Sequence, residues 1–141
     1  MTLPTFPEVG LPAMNTLHQR EAECIGRVRE LVAEARAGHE RHQAIGDALV
    51  VWLAEVREHF AQEEAWMREA AFAPYALHRA EHARALRELD ALVRNWHRAP
   101  DLERLAVFVD FEWPMWMEQH IISFDATAAQ HLVRRGADDH D

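Results

Sequence analysis

Apolar residues recur at every third or fourth position in four long stretches of the chain, which is the spacing of an amphipathic α-helix. Prolines and glycines separate these stretches. The first stretch is predicted to form a helix from about Asn15, a good helix N-cap, to Ala37, and Gly38 is predicted to end it. The second stretch predicts a helix from about Arg41 to Ala71.

Two further helices are predicted in the second half of the chain. The third begins at Pro74, because proline suits the first turn of a helix. The fourth begins with Asp101 as its N-cap and continues to about His131. Pro114 lies inside this last stretch, where it removes a backbone donor and clashes with the preceding turn. We therefore expect a kink or a break at Pro114.

The pattern as a whole predicts the fold class. No segment alternates apolar and polar residues as a half-buried strand would, so we expect an all-α protein. Four amphipathic helices with short connections predict an up-down-up-down four-helix bundle over residues 15–133. Residues 1–14 contain three prolines and are expected to form an irregular N-terminal arm. Residues 134–141 are expected to form a C-terminal tail.

Composition narrows the possible partners. The 141 residues carry 24 acidic against 15 basic side chains, all of them arginines, for a net charge of −9. This balance argues against nucleic acid or an anionic membrane surface as a partner. No apolar run approaches the roughly 20 residues of a membrane span, and no signal peptide is evident, so we expect a cytoplasmic protein. Cys24 is alone, so no internal disulfide is possible, and we expect it to be a small buried hydrophobe.

Several histidines and carboxylates interrupt the apolar stripes of the predicted helices. They are His18 in the first helix, His59 and Glu63 in the second, His78 and His82 in the third, and His120 and Asp125 in the fourth. Burying these groups singly would be costly, whereas burying them around a metal makes physical sense. Five imidazoles and two carboxylates exceed the needs of one ion and suit two ions bridged by the carboxylates.

One member of this set does not fit an ideal helix. Asp125 follows His120 by five residues, which is about 140° further round an α-helix, so it needs a long reach or a local adjustment of the backbone. Glu64 is expected to face water or neighbouring side chains, and Glu81 to be solvated or to contact a ligand from outside. The remaining histidines are expected to be solvated: His39, His42, His97, His131 and His140.

Four motifs together resemble those of the hemerythrin family in its bacterial, single-domain form. They are MNTLH at 14–18, HFAQEEAWM at 59–67, YALHRAEH at 75–82 and WMEQHIISFD at 116–125. A single HxxxE or HxxxH pair is weak evidence, but these motifs occur in the family's order and at its spacings.

The resemblance implies a non-heme di-iron centre, with a bridging oxo or hydroxo group, that binds O2 reversibly. By that resemblance His78, His82 and His120 would hold one iron, and His18 and His59 the other. Glu63 and Asp125 would bridge both ions. The residues that would line the O2 pocket are Phe60, Trp116, Met117 and Ile121. Met117 stands where leucine is frequent in the family, and its thioether can be oxidised.

Three functions remain open at this point. The first is an O2-binding protein that is not an enzyme, for storage, delivery or scavenging. The second is a di-iron enzyme that consumes peroxide or nitric oxide. Ferritin-like di-iron enzymes carry an ExxH motif, and none of the ten histidines here has a glutamate three residues before it. The third is an O2 or redox sensor read by a separate protein partner.

Overall fold

The first three helices are long and continuous. The computed structural model describes the backbone of residues 3–139. Helix α1 spans Pro12–Arg36, α2 spans His42–Glu69 and α3 spans Tyr75–Arg98. Gly38 adopts a left-handed conformation (φ 99°) directly after α1, which ends that helix as predicted. Pro74 is the N-cap of α3, one position before its predicted place in the first turn.

The N-terminal end of α1 differs from the prediction. The helix begins at Pro12, so Asn15 is not its N-cap. Instead the Asn15 amide lies beside the arm: its Oδ1 accepts from the Val9 backbone N–H at 2.8 Å, and its Nδ2 donates to the Val9 carbonyl at 2.9 Å. An aspartate could accept but not donate here, so this pairing requires the amide. The side chain therefore ties the arm to the helix.

The fourth helix, residues 102–139, contains two turns of π-helix. It consists of α4 (Leu102–Val107), π1 (Phe108–Glu112), α5 (Trp113–His120), π2 (Ile121–Asp125) and α6 (Ala126–Asp139). Asp101 caps it as predicted, accepting from the Arg104 backbone N–H at 3.0 Å. The helix continues beyond the predicted end near His131, and the expected tail is helical as far as Asp139. His140 lies outside the described residues.

Pro114 does not break the fourth helix. Its missing N–H and its ring would disturb the carbonyls one turn earlier. The π1 turn precedes it, and two carbonyls of that turn accept from the Arg29 guanidinium of α1: Val109 O at 2.9 Å and Asp110 O at 3.3 Å. A wider turn and an arginine from the neighbouring helix therefore replace the lost helical bonds, so that of the predicted kink or break the structure shows no break.

These helices form an all-α four-helix bundle, as predicted. α1 packs against α2, α2 against α3, and the fourth helix against α1. One continuous apolar core fills the half of the bundle around Ile25, Leu49, Trp52 and Leu89. A second, smaller cluster contains Met67, Phe72 and Ala128, at the other end of α2.

Two side chains depart from their predicted environments. Cys24 is half-buried at the edge of the core rather than fully buried, and burial together with nearby glutamates raises the pKa of its thiol to about 11. His131 is half-buried rather than solvated, and its Nε2 lies 2.8 Å from the Ala70 carbonyl oxygen. No helix in the described part of the chain is both long enough and apolar enough to cross a bilayer.

Candidate metal centre

Three histidine side chains converge between α3 and the fourth helix. His78 and His82 stand four residues apart on α3, so they lie on the same face of that helix. His120 Nε2 lies 3.2 Å from His78 Nε2 and 3.1 Å from His82 Nε2. Asp125 Oδ1 faces the same point, 3.0 Å from His78 Nε2 and 3.1 Å from His120 Nε2.

Two further histidines lie between α1 and α2. The ring centroids of His18 and His59 are 5.2 Å apart. His59 Nε2 is 2.8 Å from Glu63 Oε2, and His18 Nε2 is 3.4 Å from the same oxygen. His59 and Glu63 are four residues apart on α2, which explains why both side chains reach this point.

The two carboxylates connect the two groups of histidines. Asp125 directs Oδ1 toward His78 and His120, while its Oδ2 lies 2.9 Å from His18 Nε2. Glu63 directs Oε2 toward His18 and His59, while its Oε1 lies 3.4 Å from His82 Nε2. Each carboxylate thus divides its oxygens between the groups. All seven predicted side chains are brought together, and each is at most 3% exposed.

The π2 turn explains how Asp125 reaches the cluster. In an α-helix Asp125 would point about 140° away from His120. Residues Ile121–Asp125 instead form a π-helical turn, in which hydrogen bonds join residues five apart. Residues spaced by five are then stacked along the helix, so both side chains face the bundle interior. The local adjustment that the sequence required is therefore a π turn.

Burial and the two carboxylates shift the pKa values of the histidines in opposite directions. Burial lowers the pKa of His18, but hydrogen bonds to Asp125 and Glu63 outweigh it and raise the pKa to about 9. Burial also opposes the charge on His59, yet Glu63 raises its pKa above the ordinary value. For His78 burial prevails and lowers the pKa.

The carboxylates are stabilised as anions by the same contacts. Burial would raise the pKa of Glu63, but the nearby His59 charge holds it below its usual range. Burial likewise opposes ionisation of Asp125, and its close contacts with the imidazoles of His120 and His18 lower its pKa. Protons on His18 and His59, whose pKa values are raised, therefore balance the charge of the buried carboxylates when no metal is bound.

The donor set fits a pair of transition-metal ions. Five imidazoles and two carboxylates provide nitrogen and oxygen ligands of the kind that iron, zinc and copper accept. The ligating atoms fall into two groups that share Glu63: one also contains His78, His82, His120 and Asp125, and the other contains His18 and His59. Glu63 Oε1 and Asp125 Oδ1 have no hydrogen-bond partner among the described residues, which leaves lone pairs for metal ions.

Two glutamates contact the cluster from outside, and a third contacts Trp116, which stacks on His120. Glu64 is mostly buried and its Oε2 lies 2.9 Å from His82 Nδ1, so it faces a neighbour rather than open solvent. Glu81 accepts from Trp116 Nε1 at 3.1 Å, in agreement with an outer role. Glu21 was not singled out from the sequence, although it is completely buried. Its place three residues after His18, on the apolar stripe of α1, was the available signal.

Of the four residues predicted for the O2 pocket, three are fully buried and two stack on histidines of the cluster. Phe60, Met117 and Ile121 are at most 1% exposed, and Trp116 is half-buried. The Phe60 ring stacks on His82 with centroids 3.9 Å apart, and Trp116 stacks on His120 at 4.7 Å. These aromatic faces hold two imidazoles in place and keep their surroundings apolar.

Two curated relatives are similar to this chain in sequence. A bacteriohemerythrin of Aquifex aeolicus strain VF5 is 27% identical over 125 residues, which cover 89% of this chain and 92% of the relative. A bacteriohemerythrin of Ralstonia nicotianae is 38% identical over 93 residues, which cover 64% of this chain and 65% of the relative. Both relatives are bacteriohemerythrins, and together they show that this chain resembles such proteins over most of its length. No family model matches it, and no solved structure matches it.

This similarity to the hemerythrin family agrees with the buried cluster. The family implies a di-iron centre, and the structure provides a buried set of histidines and carboxylates that fits one. Which side chain ligates which ion remains a prediction.

Proposed function

We propose that this protein binds O2 reversibly at a non-heme di-iron centre. The observation that carries the proposal is the sharing of Glu63 and Asp125 between three histidines on one side and two on the other. Carboxylates that divide their oxygens in this way suit two ions about 3.5–4 Å apart. The name of both relatives, bacteriohemerythrin, supports the same function.

The proposed ligands are unequal in number. His78, His82 and His120 hold one iron, and His18 and His59 hold the other. Glu63 and Asp125 would serve both ions, so the ion held by His18 and His59 would have one protein ligand fewer and would leave room for O2. When bound, the iron pair would supply the electrons that binding of O2 requires.

The residues around the open position control access to it. A cleft of about 700 Å³ lies between the N-terminal arm and α1, and His18 forms part of its lining. This places the cleft on the side of the two-histidine ion. Phe60, Trp116, Met117 and Ile121 would keep bulk water from the centre, which slows the escape of charged oxygen species.

The proposed role is binding rather than catalysis. We propose storage, delivery or scavenging of O2, with the alternative of peroxide or nitric-oxide turnover as an outcome of the experiment below. A protein partner that receives O2 or reads the redox state is part of the same proposal, and the cytoplasm is the proposed location.

Anaerobic reconstitution with Fe(II), followed by exposure to air, tests this function. Iron is counted per chain and visible absorption is followed through cycles of air and argon. Two irons and a coloured band that disappears under argon support reversible binding. Two irons with immediate, irreversible oxidation would contradict it and favour the enzymatic or sensing alternative, which turnover of added peroxide or nitric oxide would then identify.

A further inference from the structure

Glu21 places a buried carboxyl group behind one of the proposed ligands. It stands on α1, three residues after His18, and is 0% exposed. Its Oε1 lies 3.6 Å from His59 Nδ1 on α2. Its Oε2 accepts from Trp113 Nε1 on the fourth helix at 3.3 Å. Three helices thus meet at this side chain, outside the set of seven proposed ligands.

The geometry leaves two complementary atoms facing each other. Glu21 Oε1 and His59 Nδ1 are both buried without a hydrogen-bond partner among the described residues, and they are separated by only 3.6 Å. The other ring nitrogen, His59 Nε2, points toward Glu63 and the centre. A movement of well under 1 Å would bring His59 Nδ1 and Glu21 Oε1 to the donor–acceptor distance of a hydrogen bond, about 2.7–3.2 Å.

We propose that Glu21 is a positioning residue for His59, an inference that rests on the proposed di-iron function. In the metal-loaded protein its carboxylate accepts a hydrogen bond from His59 Nδ1–H. This fixes the tautomer in which Nε2 carries the lone pair, aims that lone pair at the metal and makes the imidazole a stronger donor. Trp113 holds the carboxylate in place by occupying its other oxygen.

The role is specific to one of the two ions. Nδ1 of His18, His78 and His120 has no hydrogen-bond partner among the described residues. His82 has Glu64, which is 16% exposed and lies on the side of the three-histidine ion. Glu21 is a fully buried carboxyl group on the two-histidine side that is not among the seven proposed ligands. Its loss should therefore weaken the ion held by His18 and His59 far more than the other.

Three variants separate positioning from simple packing. Glu21→Leu keeps most of the volume but removes the acceptor. Glu21→Gln keeps an acceptor oxygen but removes the charge. Glu23→Gln is the matched control, because Glu23 is exposed on the same helix. Each protein is titrated anaerobically with Co(II), visible absorption is followed and fitted as two successive binding steps, and the reduction potential of the iron-loaded form is measured.

The expected result is a selective effect. Glu21→Leu should bind one of two Co(II) ions about 10-fold to 100-fold more weakly, the usual effect of losing an outer partner of a metal-bound histidine. Glu21→Gln should lose less affinity but should shift the iron potential to more positive values, because a buried negative charge that stabilises Fe(III) is gone. Glu23→Gln should match the wild type in both measurements.

Other results overturn the inference. Equal weakening of both ions in Glu21→Leu would indicate a packing role only. If that variant does not fold, a wild-type affinity and potential in Glu21→Gln would still refute the positioning role. If the wild type and every variant bind two metals with the same affinities, the role of Glu21 is refuted but the proposed function is not. A wild-type protein that fails to bind two metals refutes the proposed function as well.

Discussion

Raising the pH of the metal-free protein tests the electrostatics of the cluster directly. His18 is 3% exposed and lies 2.9 Å from Asp125, and its pKa is raised to about 9 from an ordinary value of 6.5. A folded-state pKa above the unfolded one stabilises the protein fully below pH 6.5. That stabilisation is lost as the pH rises through 9, since the folded state then gives up the proton as well.

The size of the loss follows from the shift. At roughly 1.4 kcal/mol per pKa unit, the difference between 6.5 and about 9 corresponds to about 3 kcal/mol. His59 and His82 also have raised pKa values, so they act in the same direction. This is a large fraction of the roughly 5–15 kcal/mol that keeps a domain folded.

Urea unfolding followed by circular dichroism at pH 6 and pH 9 measures this loss in metal-free protein. The upper limit is set at pH 9 because Cys24, with its pKa raised from 9.0 to about 11, destabilises the folded state only above that pH. His18→Gln should reduce the pH dependence, whereas His39→Gln, at an exposed position, should leave it unchanged.

A stability that stays constant between pH 6 and pH 9 would refute the reasoning, as would an unchanged pH dependence in His18→Gln. Metal binding supplies a further check. Because His18 must lose its proton to act as a ligand, Co(II) affinity should increase with pH up to about 9, and binding should release protons.

Three further predictions concern ligands, helix continuity and core packing. His120→Ala and Glu63→Ala should each lose iron while helical circular dichroism is retained, and two irons per chain in either variant would contradict the ligand assignment. Arg29→Ala removes the donors that satisfy carbonyls before Pro114 and should cost about 1.5–3 kcal/mol in urea unfolding. Leu89→Ala in the fully buried core should cost about 2–5 kcal/mol, and a loss below 1 kcal/mol would contradict the packing described.

Much of the fold could be predicted from the sequence because its signals are local. Apolar spacing gave the four helices, and Asp101 and Gly38 marked two of their ends. The N-cap prediction for Asn15 was wrong because the side chain of asparagine can cap a helix or bind a nearby backbone segment equally well. Here the N-terminal arm lies beside it, and Asn15 binds the Val9 backbone instead. The α6 extension to Asp139 was missed because glycine and acidic residues at a chain end resemble a tail.

The effect of Pro114 depended on a distant residue. Proline locally favours a break, since it removes one donor and displaces a carbonyl. Arg29 lies some eighty positions away in sequence, yet its guanidinium reaches the carbonyls of the π1 turn. Spacing along one helix carries no information about such a partner.

The sequence by itself determined that six of the seven histidine and carboxylate side chains of the cluster, all but Asp125, would stand on the inner faces of four helices, because helical periodicity assigns each residue to a face. Only the tertiary structure decided how they meet. It placed Asp125 beside His120 through a π turn, gave each carboxylate one oxygen for each histidine group, and set Glu21 behind His59. These contacts join different helices or depend on a local change of helical register, and both are consequences of packing rather than of periodicity.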